Sequence, residues 1–85
     1  MARALTIVRS KVSRHERTAY FTALRERRDR LREAECNFWV FEDSGEPGLF
    51  IEFTEARDAN TLVAARTAVA DPEAGAQILI EVELS

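Results

Sequence analysis

These 85 residues hold little that could cross-link, chelate or enter a bilayer. The one cysteine, Cys36, excludes an internal disulfide and a cysteine-based zinc cage. The one histidine, His15, excludes a histidine cluster. No strictly apolar run exceeds four residues, against the roughly 20 needed to span a bilayer as a helix. The amino-terminal stretch is interrupted by Arg3, Arg9 and Lys11 and has no secretory apolar segment, so the expected compartment is the cytoplasm. Glycine and proline are scarce, at three and two residues. All five fall in two stretches, Asp43–Gly48 and Asp71–Gly75, which are therefore the main breaks in the chain.

What is present suits one small domain over residues 1–85. A core of this size stabilises a monomer only marginally, which makes self-association the expectation. The net charge of −3 is unevenly spread. Residues 1–35 carry ten basic and five acidic side chains, a balance of +5, and residues 36–85 carry two basic and ten acidic, a balance of −8.

Residues 4–12, with their β-branched side chains, read as a first strand. Ser13 and Glu16 have capping-box spacing and should open a helix running to about Ala34. Tyr20, Leu24, Leu31 and Ala34, with Phe21 beside them, form its apolar stripe. Two strands then flank the turn Asp43–Gly48, and a second helix over about 58–69, with Asp58 as N-cap, carries Ala59, Leu62, Val63 and Val69 on its buried side. Residues 76–84 give a last strand.

The order βαββαβ predicts a ferredoxin-like α+β fold, a four-stranded antiparallel sheet with both helices on one face. Placing Glu42 opposite Leu49 puts Leu5, Ile7, Phe38, Val40, Ile51, Phe53, Ile78 and Ile80 under the helices. The free face then carries Val8, Trp39, Phe41, Phe50 and Leu79 with Asn37, Glu52, Thr54 and Glu81. That is too much apolar surface for water, so a second copy should cover it, two sheets closing a dimeric α/β barrel.

Residues 41–66, FEDSGEPGLFIEFTEARDANTLVAAR, resemble the hairpin and second helix of the dimeric α/β-barrel superfamily, nearest its antibiotic-biosynthesis-monooxygenase-like proteins. The matching elements are Glu46-Pro47-Gly48, the strand through Glu52 and Phe53, and the helix through Leu62. The resemblance implies a homodimer and, in some members, cofactor-independent oxygenation of phenolic compounds or haem breakdown. Haem-binding members carry a histidine on the second helix, where this chain has Arg66, and no Asn/Trp/His set carries over.

Glu52 and Glu81 are the candidate catalytic carboxylates, because desolvation beside an interface would raise their pKa toward a useful range. The face assigned to Glu52 offers few basic partners. Trp39, Phe41, Phe50, Asn37 and Thr54 are the candidate ligand or dimer face, since an aromatic cluster either anchors an interface or stacks on an aromatic guest. His15 reads as a solvated first-turn residue and Cys36 as a small buried hydrophobe. No cofactor or metal is expected. RNA recognition shares this topology, but the strands are acidic and the RNA-recognition signature is absent. The expected partners are a second copy and a small aromatic molecule, with no nucleic acid and no membrane. A monooxygenase and a purely structural or protein-interaction module are the alternatives.

Overall fold

The computed structural model describes residues 2–68 and 77–84. Its elements are β1 (Ala4–Lys11), a 3₁₀ turn (Arg14–Glu16), α1 (Arg17–Glu33), β2 (Asn37–Glu42), β3 (Leu49–Ala56), α2 (Ala59–Ala68) and β4 (Ile78–Ile80). The strands form one antiparallel sheet in the order β2-β3-β1-β4, the expected ferredoxin-like α+β arrangement. Val69, the stop at Asp71–Gly75 and Ala76 lie outside the described residues. The last strand is shorter than expected, because residues 81–84 leave the ladder after the bond from the Glu81 N–H to the Arg3 carbonyl.

The helix starts follow the sequence with one adjustment. Ser13 donates its hydroxyl to the Glu16 carboxylate instead of accepting from the Glu16 N–H, which bonds the Ser13 carbonyl at 3.0 Å, and the chain turns through Arg14–Glu16 before α1 begins at Arg17. The hydroxyl bond holds the Glu16 carboxyl below its ordinary pKa. Asp58 caps α2 as expected, accepting from the Thr61 N–H at 2.7 Å. On the exposed side of α1 Asp29 pairs with its neighbour Arg28 at 3.2 Å.

The hairpin register differs from expectation by one residue, and this is the main correction. Glu42 stands opposite Phe50, Val40 opposite Glu52, Trp39 opposite Phe53 and Phe38 opposite Thr54. A one-residue slip reverses the faces of a strand. Phe38, Val40 and Ile78 still face the helices, and Trp39, Phe41 and Leu79 still face away. Phe50, Glu52, Thr54 and Ala56 are all buried on the helix side, each within 4% of full burial. On β1, Ala4 and Thr6 are buried with them, while Leu5 and Ile7 pair with Glu55 and Phe53 and share their outward face.

The core is built from small residues where α2 meets the sheet. Ala4, Ala56, Leu62 and Ala65 form one cluster with Leu31 and Cys36, and Phe38, Ala34 and Ile78 pack around it. Short side chains let the helix lie close to the sheet. Large residues on that side of β1 and β3, as first assigned, would hold it off. Cys36 is buried as expected, and burial pushes its thiol pKa up.

Two backbone positions fix the connections. After α1 the Cys36 N–H bonds the Leu31 carbonyl at 2.8 Å and the Glu35 N–H bonds the Arg32 carbonyl at 3.0 Å, a Schellman closure with Glu35 left-handed at φ 65°. At the hairpin, Gly48 has φ 89°, and its carbonyl accepts from the Val12 N–H at 2.8 Å. A Cβ there would stand 2.8 Å from the Val12 carbonyl oxygen. Opposite outcomes are expected on substitution. Gly48→Ala should lower stability by roughly 1–3 kcal/mol, and Glu35→Gly should raise it by about 0.5–1 kcal/mol, both read as shifts in urea midpoint.

Candidate functional site

The buried polar cluster is assembled between α1 and the centre of the sheet. Glu52, 4% exposed, accepts from three side chains. Arg27 Nη1 donates to Oε1 at 3.0 Å, Tyr20 Oη to Oε2 at 2.7 Å, and Ser10 Oγ to Oε2 at 3.2 Å. A carboxylate this buried is tolerable only when paired and hydrogen-bonded. Tyr20 is held as the neutral phenol, its pKa pushed well above the ordinary 10.0 by burial first and by its bond to Glu52 second. Tyr20 also joins an aromatic group with Phe21 and Phe50, ring centroids 5.0–5.9 Å apart.

Glu52 therefore does not lie beside Trp39 on a free face. It lies under α1, where a basic partner is supplied by the helix rather than by the sheet. Arg27 was missed because the stripe was read from Leu24 to Leu31 in one step of seven. The skipped position, three residues after Leu24 and four before Leu31, is Arg27. A charged residue at a core position of a helix, together with a charged residue inside a strand, is the signal that could have found the pair.

The outward sheet face is the second feature. Leu5, Trp39, Phe41, Phe53 and Leu79 line a hollow of about 530 Å³, and Phe41 meets Phe53 edge-on at 5.5 Å. A chain of polar contacts crosses the sheet at one end of it. Asn37 Nδ2 donates to Glu55 Oε1 at 2.9 Å, Arg3 Nη1 reaches Glu55 Oε2 at 3.0 Å, and Arg3 Nη2 reaches Glu81 Oε2 at 2.7 Å. These pairs are exposed and add little stability. They do orient charge at the rim. Arg3 holds the Glu81 carboxyl below its ordinary pKa, so Glu81 is a weaker base than a free glutamate.

The candidate residues thus separate. Trp39, Phe41, Asn37 and Glu81 gather around the outward hollow, while Phe50, Thr54 and Glu52 lie on the helix side. His15 is exposed in the 3₁₀ turn, its Nε2 3.5 Å from the Ser13 hydroxyl. Arg66 is buried in α2. Among the described residues no group of three His, Cys, Asp or Glu side chains is arranged to hold a metal ion. None of their helices is long and apolar enough to cross a membrane.

Two outcomes follow from the cluster. Glu52→Leu breaks the buried pair with Arg27 and takes the acceptor from Tyr20 and Ser10, and should cost about 3–5 kcal/mol; adding Arg27→Met should restore part of that loss, both measured by chemical denaturation. For Tyr20 the folded pKa lies above the unfolded one, so its contribution is complete below about pH 10 and is lost as pH rises further. Stability should therefore fall above pH 10, less steeply in Tyr20→Phe, and the phenolate absorbance of this single tyrosine reports the titration directly.

No protein-family model matches the sequence, and no curated protein matches it. Solved structures do match the fold. A putative antibiotic biosynthesis monooxygenase from Nitrosomonas europaea superposes with a TM-score of 0.68 over 96% of this chain and 90% of its own, at 18% identity. A conserved protein from Methanosarcina mazei Go1 superposes with a TM-score of 0.74 over 99% of this chain and 95% of its own, at 14% identity. The resemblance read from residues 41–66 is thus met at the level of the fold: the chain has the ferredoxin-like α+β architecture of both structures.

Proposed function

We propose that the chain works as a cytoplasmic homodimer whose outward sheet face is covered by that of a second copy, the closed barrel holding a small aromatic molecule. The observation that carries this reading is the composition of that face. Leu5, Ile7, Leu49, Ile51 and Phe53 stand on it with Trp39, Phe41 and Leu79, and the last three remain 46%, 59% and 41% exposed. So large a contiguous apolar surface is characteristic of an interface. The register correction adds to it, because Leu5, Ile7, Ile51 and Phe53, expected beneath the helices, face outward. A second copy brings the same apolar surface and the same rim of Arg3, Glu55 and Glu81, with both signs of charge for pairing.

The hollow supports an aromatic guest. Its volume of about 530 Å³ lies within the roughly 300–1,000 Å³ of small-molecule sites. Trp39, Phe41 and Phe53 offer ring faces and edges for stacking.

The monooxygenase reading is the second one, favoured by Glu81 at the hollow's edge, where it could take a proton from a phenol before reaction with dioxygen. Two observations weaken it. Arg3 makes Glu81 a poor base, and Glu52 already accepts from Arg27, Tyr20 and Ser10. The geometry favours binding over turnover. Oxygen uptake with phenolic compounds, lost in Glu81→Gln, would reverse that preference.

Trp39→Asp and Phe53→Asp should each give monomer in sedimentation analysis at low micromolar concentration, with Tyr20 and the helices still folded by circular dichroism. Either variant remaining a stable dimer would remove the sheet-face model. A dimer whose melting temperature no aromatic compound raises would leave a structural or protein-interaction module as the function.

A further inference from the structure

On the other side of β2, away from the outward face, α1 and the strand enclose a groove of about 540 Å³. Its floor is aromatic and aliphatic, with Phe21 and Phe38 half-buried and Phe50 beneath. Its wall is strongly basic: Arg17, Arg25, Arg28 and Arg32 against a single carboxylate, Glu42. Arg25, Arg28 and Arg32 are spaced by three and four residues, which puts them on one side of the helix over about 10 Å of its length.

That carboxylate is fully engaged. Arg17 donates to both Glu42 oxygens at 3.0 Å, and the Gly48 N–H donates to one of them at 3.0 Å, which holds the carboxyl below its ordinary pKa. Arg17 in turn lies 5.0 Å over the Phe21 ring and 5.2 Å over Phe50. Of the remaining guanidiniums, Arg25 bonds a neutral hydroxyl, that of Thr22 at 3.3 Å, and Arg28 holds only the exposed Asp29 beside it. The groove therefore concentrates positive charge over ring faces in a chain whose net charge is −3.

Arginine stems commonly lie along apolar surface without serving a ligand. A convex helix would need no other account. Here the guanidiniums border a concavity whose aromatic floor stays partly open to water.

We propose that this groove binds a small planar aromatic carboxylate, its ring system on Phe21 and Phe38 and its carboxylate between Arg28 and Arg32. The guanidinium fork matches a carboxylate in plane and spacing, and ring stacking supplies the apolar contribution. The site lies on the helix side of β2, with Trp39 lining both this groove and the outward hollow.

The test is a titration of the whole protein with 2-naphthoate, followed by amide chemical shifts. The expected shifts centre on residues 25–32 and 38–42. The double variant Arg28→Gln, Arg32→Gln should bind at least tenfold more weakly with an unchanged circular dichroism spectrum, since glutamine is a good helix former at exposed positions. Should the double variant lose its fold, each single variant should still bind measurably more weakly, and wild-type affinity in both overturns the proposal. So do equal binding of neutral 2-naphthylmethanol, which dispenses with the arginines, and equal binding of inorganic phosphate, which dispenses with the floor. Shifts centred instead on Leu5 and Leu79 would place the guest in the outward hollow, overturning this site while supporting the dimer-barrel reading.

Discussion

The ion pair of Arg27 and Glu52 decides which way the middle of the sheet faces. A buried carboxylate and a largely buried guanidinium 3.0 Å apart are costly to separate, since each would lose its charge partner in a poorly solvated place. With Glu52 inward, alternation along β3 places Phe50, Thr54 and Ala56 inward as well, and Leu49, Ile51 and Phe53 outward. The ladder with β1 carries the same choice across, turning Leu5 and Ile7 outward and Ala4 and Thr6 toward α2. Tyr20 and Ser10 complete the hydrogen bonding, so α1 is tied to the sheet by polar contacts at its middle and by Leu31 packing near its end.

This arrangement divides the molecule into two unlike sides. Under the helices the sheet's side chains are small, polar, or aromatic and stacked. The opposite face is large and apolar. A monomer would normally bury its largest side chains against its own helices. Here the reverse distribution holds for β1 and β3, and it makes the outward face the surface with most to gain from cover. The two concave regions differ in the same way, one apolar with a mixed-charge rim and one basic over rings.

The sheet order, the helices, the Asp58 cap, the burial of Cys36 and the free face of Trp39, Phe41 and Leu79 were legible in the residues. Each rests on local signals: β-branched runs, cap residues, turn formers and alternation. The site was legible only in part. Trp39, Phe41, Asn37 and Glu81 stood where alternation put them. Glu52, Phe50 and Thr54 did not, because β3 is apolar at both parities between Leu49 and Phe53, and the parity without a charge looked like the natural inside. Arg27 stands out no more clearly, as one charge among many in an arginine-rich helix.

Sequence by itself determined the elements and their order, and through them the topology, because helix and strand periods, caps and glycine-rich turns act over a few neighbouring residues. Tertiary structure alone decided the register of β2 on β3 and the inward face of β3. Those depend on whether a distant partner can neutralise Glu52, and the partner, Arg27, lies 25 residues away on α1, whose pattern marks its position on the apolar stripe but does not say which strand residue it meets. Pairing across that separation makes a charged residue cheap to bury, and no local signal carries that information.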